Sequence, residues 1–184
     1  MIMPAAPLKR MCSGDFMAEE SAVSDTGPPL HLSEIRQESL LNLFKSVTIP
    51  EDVKIELIRH GVFDMIARIL NDRLFIEDAK QSELDKQYRL MKDFRVHKAD
   101  LCVAVLAARL LPDMVLTDDL ELRKGLEVQS FTVVGSVGIL VRAFKTGRLK
   151  KDELQDCFDR LFDGSTLYLS KGFVVYVRKL LDSI

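Results

Sequence analysis

The sequence predicts an α/β domain with a central parallel sheet of about five strands and helices on both faces. Three observations carry that prediction. Short β-like runs alternate with helical stretches along the chain, as strand–helix–strand units require. Its 184 residues suffice for one well-cored domain and fall short of two. Hydrophobic residues make up 47% and aromatic residues 7%, an ordinary globular balance.

Residues 1–19 read as a disordered or spurious leader, with Met17 as an alternative start. Lys9 and Arg10 follow a weak apolar stretch that holds two prolines, so this is no signal peptide. The domain is expected over 20–184. Ala22-Val23-Ser24 forms a short first strand that ends on Asp25, and Gly27-Pro28-Pro29 is expected to forbid an immediate helix. Residues 33–44 carry Ile35, Leu40, Leu41, Leu43 and Phe44 at amphipathic spacing, with Ser33 as N-cap. Ser46 to Ile49 is the second strand. Pro50 then opens a helix whose first turn holds Glu51 and Asp52, placed at the positive end of the dipole.

A further helix is expected over 62–71, a third strand from Arg73 to Ile76, and a charged helix over 81–93. Residues 98–111 are apolar almost all round, which predicts a helix buried on most sides. Asp113 to Thr117 is the fourth strand and Phe131 to Val134 the fifth, with helices over 136–146, 150–162 and 171–182. The last helix carries Phe173, Val174, Val175, Tyr176, Val177, Leu180 and Leu181, which read first as core packing. No stretch approaches the length of a membrane span; the best run, Phe131 to Val141, is too short.

The net charge of −2 gives no overall pull on nucleic acid, so RNA contact would need a local patch. Arg142, Lys145, Arg148, Lys150 and Lys151 form one, with no acid among them. Its plainer reading is a solvated helix end and turn. Cys12, Cys102 and Cys157 are too few and too widely spaced for a metal or disulfide pattern. They fit a reducing cytoplasm, with Cys102 as a small buried residue.

Chemistry points to acids. Asp25 closes the first strand and Asp118-Asp119 the fourth, and in open parallel sheets ligands bind beyond such carboxyl ends. Each acid also has a plain explanation. Asp25 suits a turn after a strand. Glu56 has Arg59 and His60 within helical reach, and Asp100 complements the dipole of a helix capped by His97. Asp118 and Asp119 suit a helix start, with Arg123 spaced to pair with Asp119. Asp25-Thr26-Gly27 also matches the aspartic-protease tripeptide, but that enzyme needs an all-β body. Gathered together, the acids would be divided by protonation or neutralised by Mg²⁺ or Mn²⁺.

The ordered set resembles the PIN-domain nucleases over roughly residues 20–145. Asp25-Thr26 resembles the opening Asp-Thr/Ser of that family. Ile49-Pro50-Glu51-Asp52-Val53-Lys54-Ile55-Glu56-Leu57 resembles its Val-Pro-x-x-Val-x-x-Glu-Leu helix, and Lys98-Ala99-Asp100 its third acid. Val115-Leu116-Thr117-Asp118-Asp119 resembles the fourth, where Thr-x-Asp spacing points to Asp119. Phe131 to Leu140 is similar to a Val-x-Gly-Thr-x-Gly-x-Leu segment of one prokaryotic subfamily, which includes toxins of toxin–antitoxin pairs.

The resemblance implies a metal-dependent ribonuclease that uses Mg²⁺ or Mn²⁺. Asp25, Asp100 and Asp119 would be the principal ligands and Asp118 a further candidate. Glu56 would complete the shell or orient the attacking water, with Thr26 and Thr117 as supporting or phosphate-contacting hydroxyls. The basic cluster from Arg142 to Lys151 would be the RNA track. A homodimer is also implied and an antitoxin is a candidate partner; the apolar residues of the last helix, if not core packing, are the alternative contact for either. A catalytically inert binding module and a phosphatase or DNA nuclease are the competing readings.

Overall fold

A computed structural model describes residues 20–182. Five parallel strands form one sheet: β1 (Ser21–Ser24), β2 (Ser46–Pro50), β3 (Leu74–Glu77), β4 (Met114–Leu116) and β5 (Val133–Val134). Their order is β3-β2-β1-β4-β5. The chain therefore lays β2 and β3 to one side of β1 and returns to place β4 and β5 on the other. The reversal lies between β1 and β4, paired in parallel from Ala22↔Met114 to Ser24↔Leu116. Just beyond that pairing, two adjacent strands diverge into connections running opposite ways, which opens a crevice.

Nine helices are described: α1 (Gly27–Glu34), α2 (Glu51–Arg59), α3 (Phe63–Leu70), α4 (Gln81–Leu90), α5 (Lys98–Leu110), α6 (Leu120–Val128), α7 (Ser136–Lys145), α8 (Lys151–Gly164) and α9 (Lys171–Asp182). α5 packs on β1 and β2 beside α2, and α4 packs along α5. α1, α7 and α8 pack together as the opposite layer. Six consecutive residues of α5, Cys102 to Ala107, are buried, because this helix has neighbours on several sides. Val23, Val47 and Val115 from three adjacent strands are at most 1% exposed. Each such side chain contributes roughly 1.5–3 kcal/mol of burial.

The first helix departs from expectation. α1 starts at Gly27 and runs through Pro28 and Pro29, within its first turn. Prolines are tolerated there, since the N–H groups they lack have no intrahelical partner. Ser33 is consequently not an N-cap but lies near the end of α1, its hydroxyl donating to the Pro29 carbonyl at 2.7 Å. Arg36, at φ 59°, reverses the chain, and a 3₁₀ segment over Glu38–Leu43 takes the place of the second half of the expected helix. The strand expected over Phe131 to Val134 keeps just its last two residues. Cys102 and Cys157 are buried, unpaired thiols. Among the described residues no helix is long and apolar enough to cross a membrane. The leader over 1–19, with Met17 and Cys12, lies outside the described residues.

Candidate active site

Asp25 stands one residue past β1, its N–H donating to the Leu116 carbonyl of β4 at 2.9 Å. That bond fixes it at the reversal of strand order. Its carboxylate is held from two sides. The Thr26 N–H donates to Oδ1 at 2.7 Å, and the Thr117 hydroxyl, from the end of β4, donates to Oδ2 at 3.0 Å. Thr117 Oγ1 in turn accepts from the Asp119 N–H at 3.0 Å. One hydroxyl thus ties the first acid to the backbone of the last.

The remaining acids arrive on helices, Glu56 from within α2 and Asp100 and Asp119 at the starts of α5 and α6. Glu56 does not pair with Arg59 or His60; its Oε2 accepts from the Thr26 hydroxyl at 2.6 Å, which draws α2 toward β1. Asp100, in the first turn of α5, accepts the His97 N–H on Oδ2 at 2.6 Å. Asp119 is the N-cap of α6, its Oδ1 accepting from the Leu122 N–H at 2.7 Å. Capping is worth about 1 kcal/mol and fixes each carboxylate's direction. Asp100 Oδ1, Asp119 Oδ2 and Glu56 Oε1 make no hydrogen bond among the described residues.

Electrostatics make this set costly. The Asp25 carboxyl is pushed up to about 7, chiefly by burial, with the charges of Asp100 and Glu56 adding to it. The Thr26 N–H and the Thr117 hydroxyl oppose that rise without cancelling it. Asp100 is also raised, by burial first and then by Asp119 and Glu56, against the His97 N–H. Among the described residues none of the four acids has a basic side chain within 4.0 Å. In charge and in oxygen donors the set fits a hard divalent cation. The fit is not ready-made. Among the described residues no three His, Cys, Asp or Glu side chains are grouped closely enough to hold an ion as they stand. Glu56, Asp100 and Asp119 each keep one oxygen without a hydrogen bond for such an ion.

Asp118 is engaged elsewhere. Its Oδ2 lies 2.8 Å from His31 Nδ1 of α1 and accepts from the Ser136 hydroxyl at 2.5 Å. Its Oδ1 accepts from the Ser136 N–H at the start of α7, 2.7 Å away. With its side chain 10% exposed, it links α1, β4 and α7 from the far side of the acid group. Gly135 makes room for this link, since a Cβ there would stand 2.5 Å from Asp118 Oδ1. Arg123 does not pair with Asp119. Its guanidinium donates to the Val133 and Thr117 carbonyls at 3.0 and 3.2 Å and meets Glu127 at 3.6 Å. His31 and Ser136 were not expected from the sequence as site supports. The hydroxyl at Ser136, opening a helix after a glycine, was the one available signal.

The basic cluster does not join the acids. α7 starts beside Asp118 and runs back across the sheet, so Lys145 lies roughly 15 Å further along its axis. Arg142 pairs with Glu20, at the opposite end of β1 from Asp25. Lys145, Arg148, Lys150 and Lys151 are exposed on that side.

A family model described as a PIN domain matches residues 21–183 of the chain. No curated protein matches it.

Proposed function

Because the chain belongs to the PIN-domain family, whose members are generally nucleases that use divalent metal ions, we propose that it is a Mg²⁺- or Mn²⁺-dependent endoribonuclease. One observation carries the reading. Four carboxylates from four separate segments converge at the reversal of strand order, where burial and the charges of Asp100 and Glu56 push the Asp25 carboxyl up to about 7.

Asp25, Asp100 and Asp119 would hold the cation, which supplies Lewis acidity and charge neutralisation at the phosphodiester. Asp25 presents a carboxylate whose direction is fixed by Thr26 and Thr117. Glu56 Oε1, the oxygen not held by the Thr26 hydroxyl, would orient a water and accept its proton. Asp118 keeps α1 and α7 against the end of β4 and so holds Thr117 and Asp119 in position. The role of homodimeric toxin with an antitoxin partner is the finer form of this proposal. Phe173 and Tyr176, exposed on α9, are the surface such a partner would cover.

A second reading, an inert PIN-fold binding module, draws on the absence of a ready-made group of metal-ligating side chains among the described residues. Incubation with single-stranded RNA and DNA oligonucleotides separates the readings. The nuclease predicts RNA cleavage with Mn²⁺ or Mg²⁺, none with EDTA, and a loss of at least about 100-fold in Asp100→Asn. Binding without cleavage under every metal condition would favour the module, and cleavage of DNA alone would replace the substrate.

A further inference from the structure

We propose that the cleft between α4 and the first turn of α5 is the subsite for the nucleotide next to the scissile phosphate. Tyr88 would stack on its base and Lys98 would hold its phosphate. The inference rests on the nuclease reading and names where the substrate strand leaves the acids.

The cleft is lined by Gln81, Leu84, Asp85 and Tyr88 of α4 and by Lys98 and Leu101 of α5. The α4 residues recur at i, i+3, i+4 and i+7, so they form one stripe along that helix. α4 and α5 are antiparallel: Gln87 of α4 donates to the Ala104 carbonyl at 2.8 Å, and Glu83, a turn earlier, meets Arg109 near the far end of α5. Tyr88 therefore sits at the same end as Lys98, the end where Asp100 enters the acid group. Lys98 precedes Asp100 by two residues and so faces a different side of α5; its approach to the acids is through α2. Its ammonium lies 3.7 Å from Asp52, which is one helical turn before Glu56 on α2. A cation at this point borders the acids without neutralising them.

The surface chemistry suits an unpaired nucleotide. Tyr88 is 63% exposed although aromatic, and the Lys98 side chain is 75% exposed. An exposed ring and an exposed ammonium are what single-stranded nucleic acid uses, since every base offers a π-face and every residue a phosphate. Leu84 and Leu101 give the cleft an apolar floor. Asp85 accepts from the Gln81 amide at 2.9 Å and so stands as an acceptor toward base N–H groups, not as a phosphate contact. The cluster from Arg142 to Lys151 offers no comparable aromatic surface beside the acids.

Binding of a labelled single-stranded hexaribonucleotide, read by fluorescence anisotropy with Mn²⁺ in a Glu56→Gln background that prevents turnover and keeps the three proposed ligands, tests this directly. Tyr88→Ala should weaken binding roughly tenfold, and Tyr88→Phe should restore it. Lys98→Ala should weaken binding and lower the slope of log affinity against log salt by about one. Tyr88 is exposed, so an unchanged melting temperature in Tyr88→Ala will show that the fold is intact. Tyr88→Ala and Lys98→Ala proteins that bind as tightly as their parent overturn the subsite, even where wild type cleaves RNA. A parent that binds no oligoribonucleotide overturns it as well. Tyr88-dependent binding by a wild type that cleaves nothing rejects the nuclease reading and with it the place beside a scissile phosphate, leaving a nucleotide-binding cleft.

Discussion

The two ends of β1 treat aspartate in opposite ways. At the amino end Asp113 accepts the Ser21 N–H and hydroxyl at 2.7 and 2.8 Å, and these bonds hold its carboxyl below the usual range. Glu20 beside it pairs with Arg142. At the carboxyl end Asp25 also accepts two hydrogen bonds, yet burial and two acidic neighbours drive it up to about 7. Two hydrogen bonds of similar length thus accompany opposite outcomes. The difference lies in solvent access and in the sign of the surrounding charge. One end closes the fold with satisfied charges, and the other carries a deficit that a ligand can relieve.

The largest way to break this comparison in the absence of metal is to remove the Asp25 charge. Its folded value near 7 lies above the unfolded 3.8, so the folded state binds the extra proton. That contribution is complete below about pH 4 and disappears as pH rises through 7. Wild type without metal should lose on the order of 2–4 kcal/mol across that window. Asp25→Asn should lack this slope in chemical denaturation and be the more stable protein at pH 8.

A smaller effect is expected at Asp118, which serves structure at the same edge. Asp118→Ala leaves His31 and the start of α7 without their shared acceptor and should cost about 1–3 kcal/mol at neutral pH. Asp113→Ala, at the exposed amino end, should cost less than either, in the same denaturation series. The smallest change is expected from the basic cluster. Lys145→Ala combined with Arg148→Ala should leave the RNA cleavage rate and KM within about twofold, because these side chains lie across the sheet from the acids. A larger rise in KM would restore the cluster as an RNA track and weaken the contrast between the two ends.

The fold was legible because its signals are local. Strand and helix patterns, and the apolar run of α5, follow from residues within one turn or one strand of each other. Asp25, Asp100 and Asp119 stood out in the same way, since each sits beside a strand end or a helix start, whereas Glu56, within α2, was marked only by the resemblance of its helix. The start of α1 was not, because Gly27-Pro28-Pro29 reads as a break until one sees that both prolines fall in a first turn. The work of Asp118 was hidden for a different reason. Its partners stand 87 residues before it and 18 after it, and the Thr-x-Asp spacing that singles out Asp119 gives Asp118 no role of its own. Arg123 was misplaced by helical spacing, which suggested Asp119, while the carbonyls of Thr117 and Val133 were the acceptors in reach. The exposed Tyr88 carried no sequence signal, because exposure depends on how α4 lies on α5.

Thermal unfolding at pH 8 with EDTA or with Mn²⁺, for wild type beside Asp100→Asn, tests the charge deficit most directly and needs no substrate. At about 100 times the dissociation constant, Mn²⁺ should add roughly 2.7 kcal/mol to wild type, a rise of about 5–10 °C. Asp100→Asn should be at least as stable as wild type in EDTA and gain little from the metal. A wild-type protein indifferent to both Mn²⁺ and Mg²⁺, or an equal gain in the variant, would contradict a cation site built on these carboxylates.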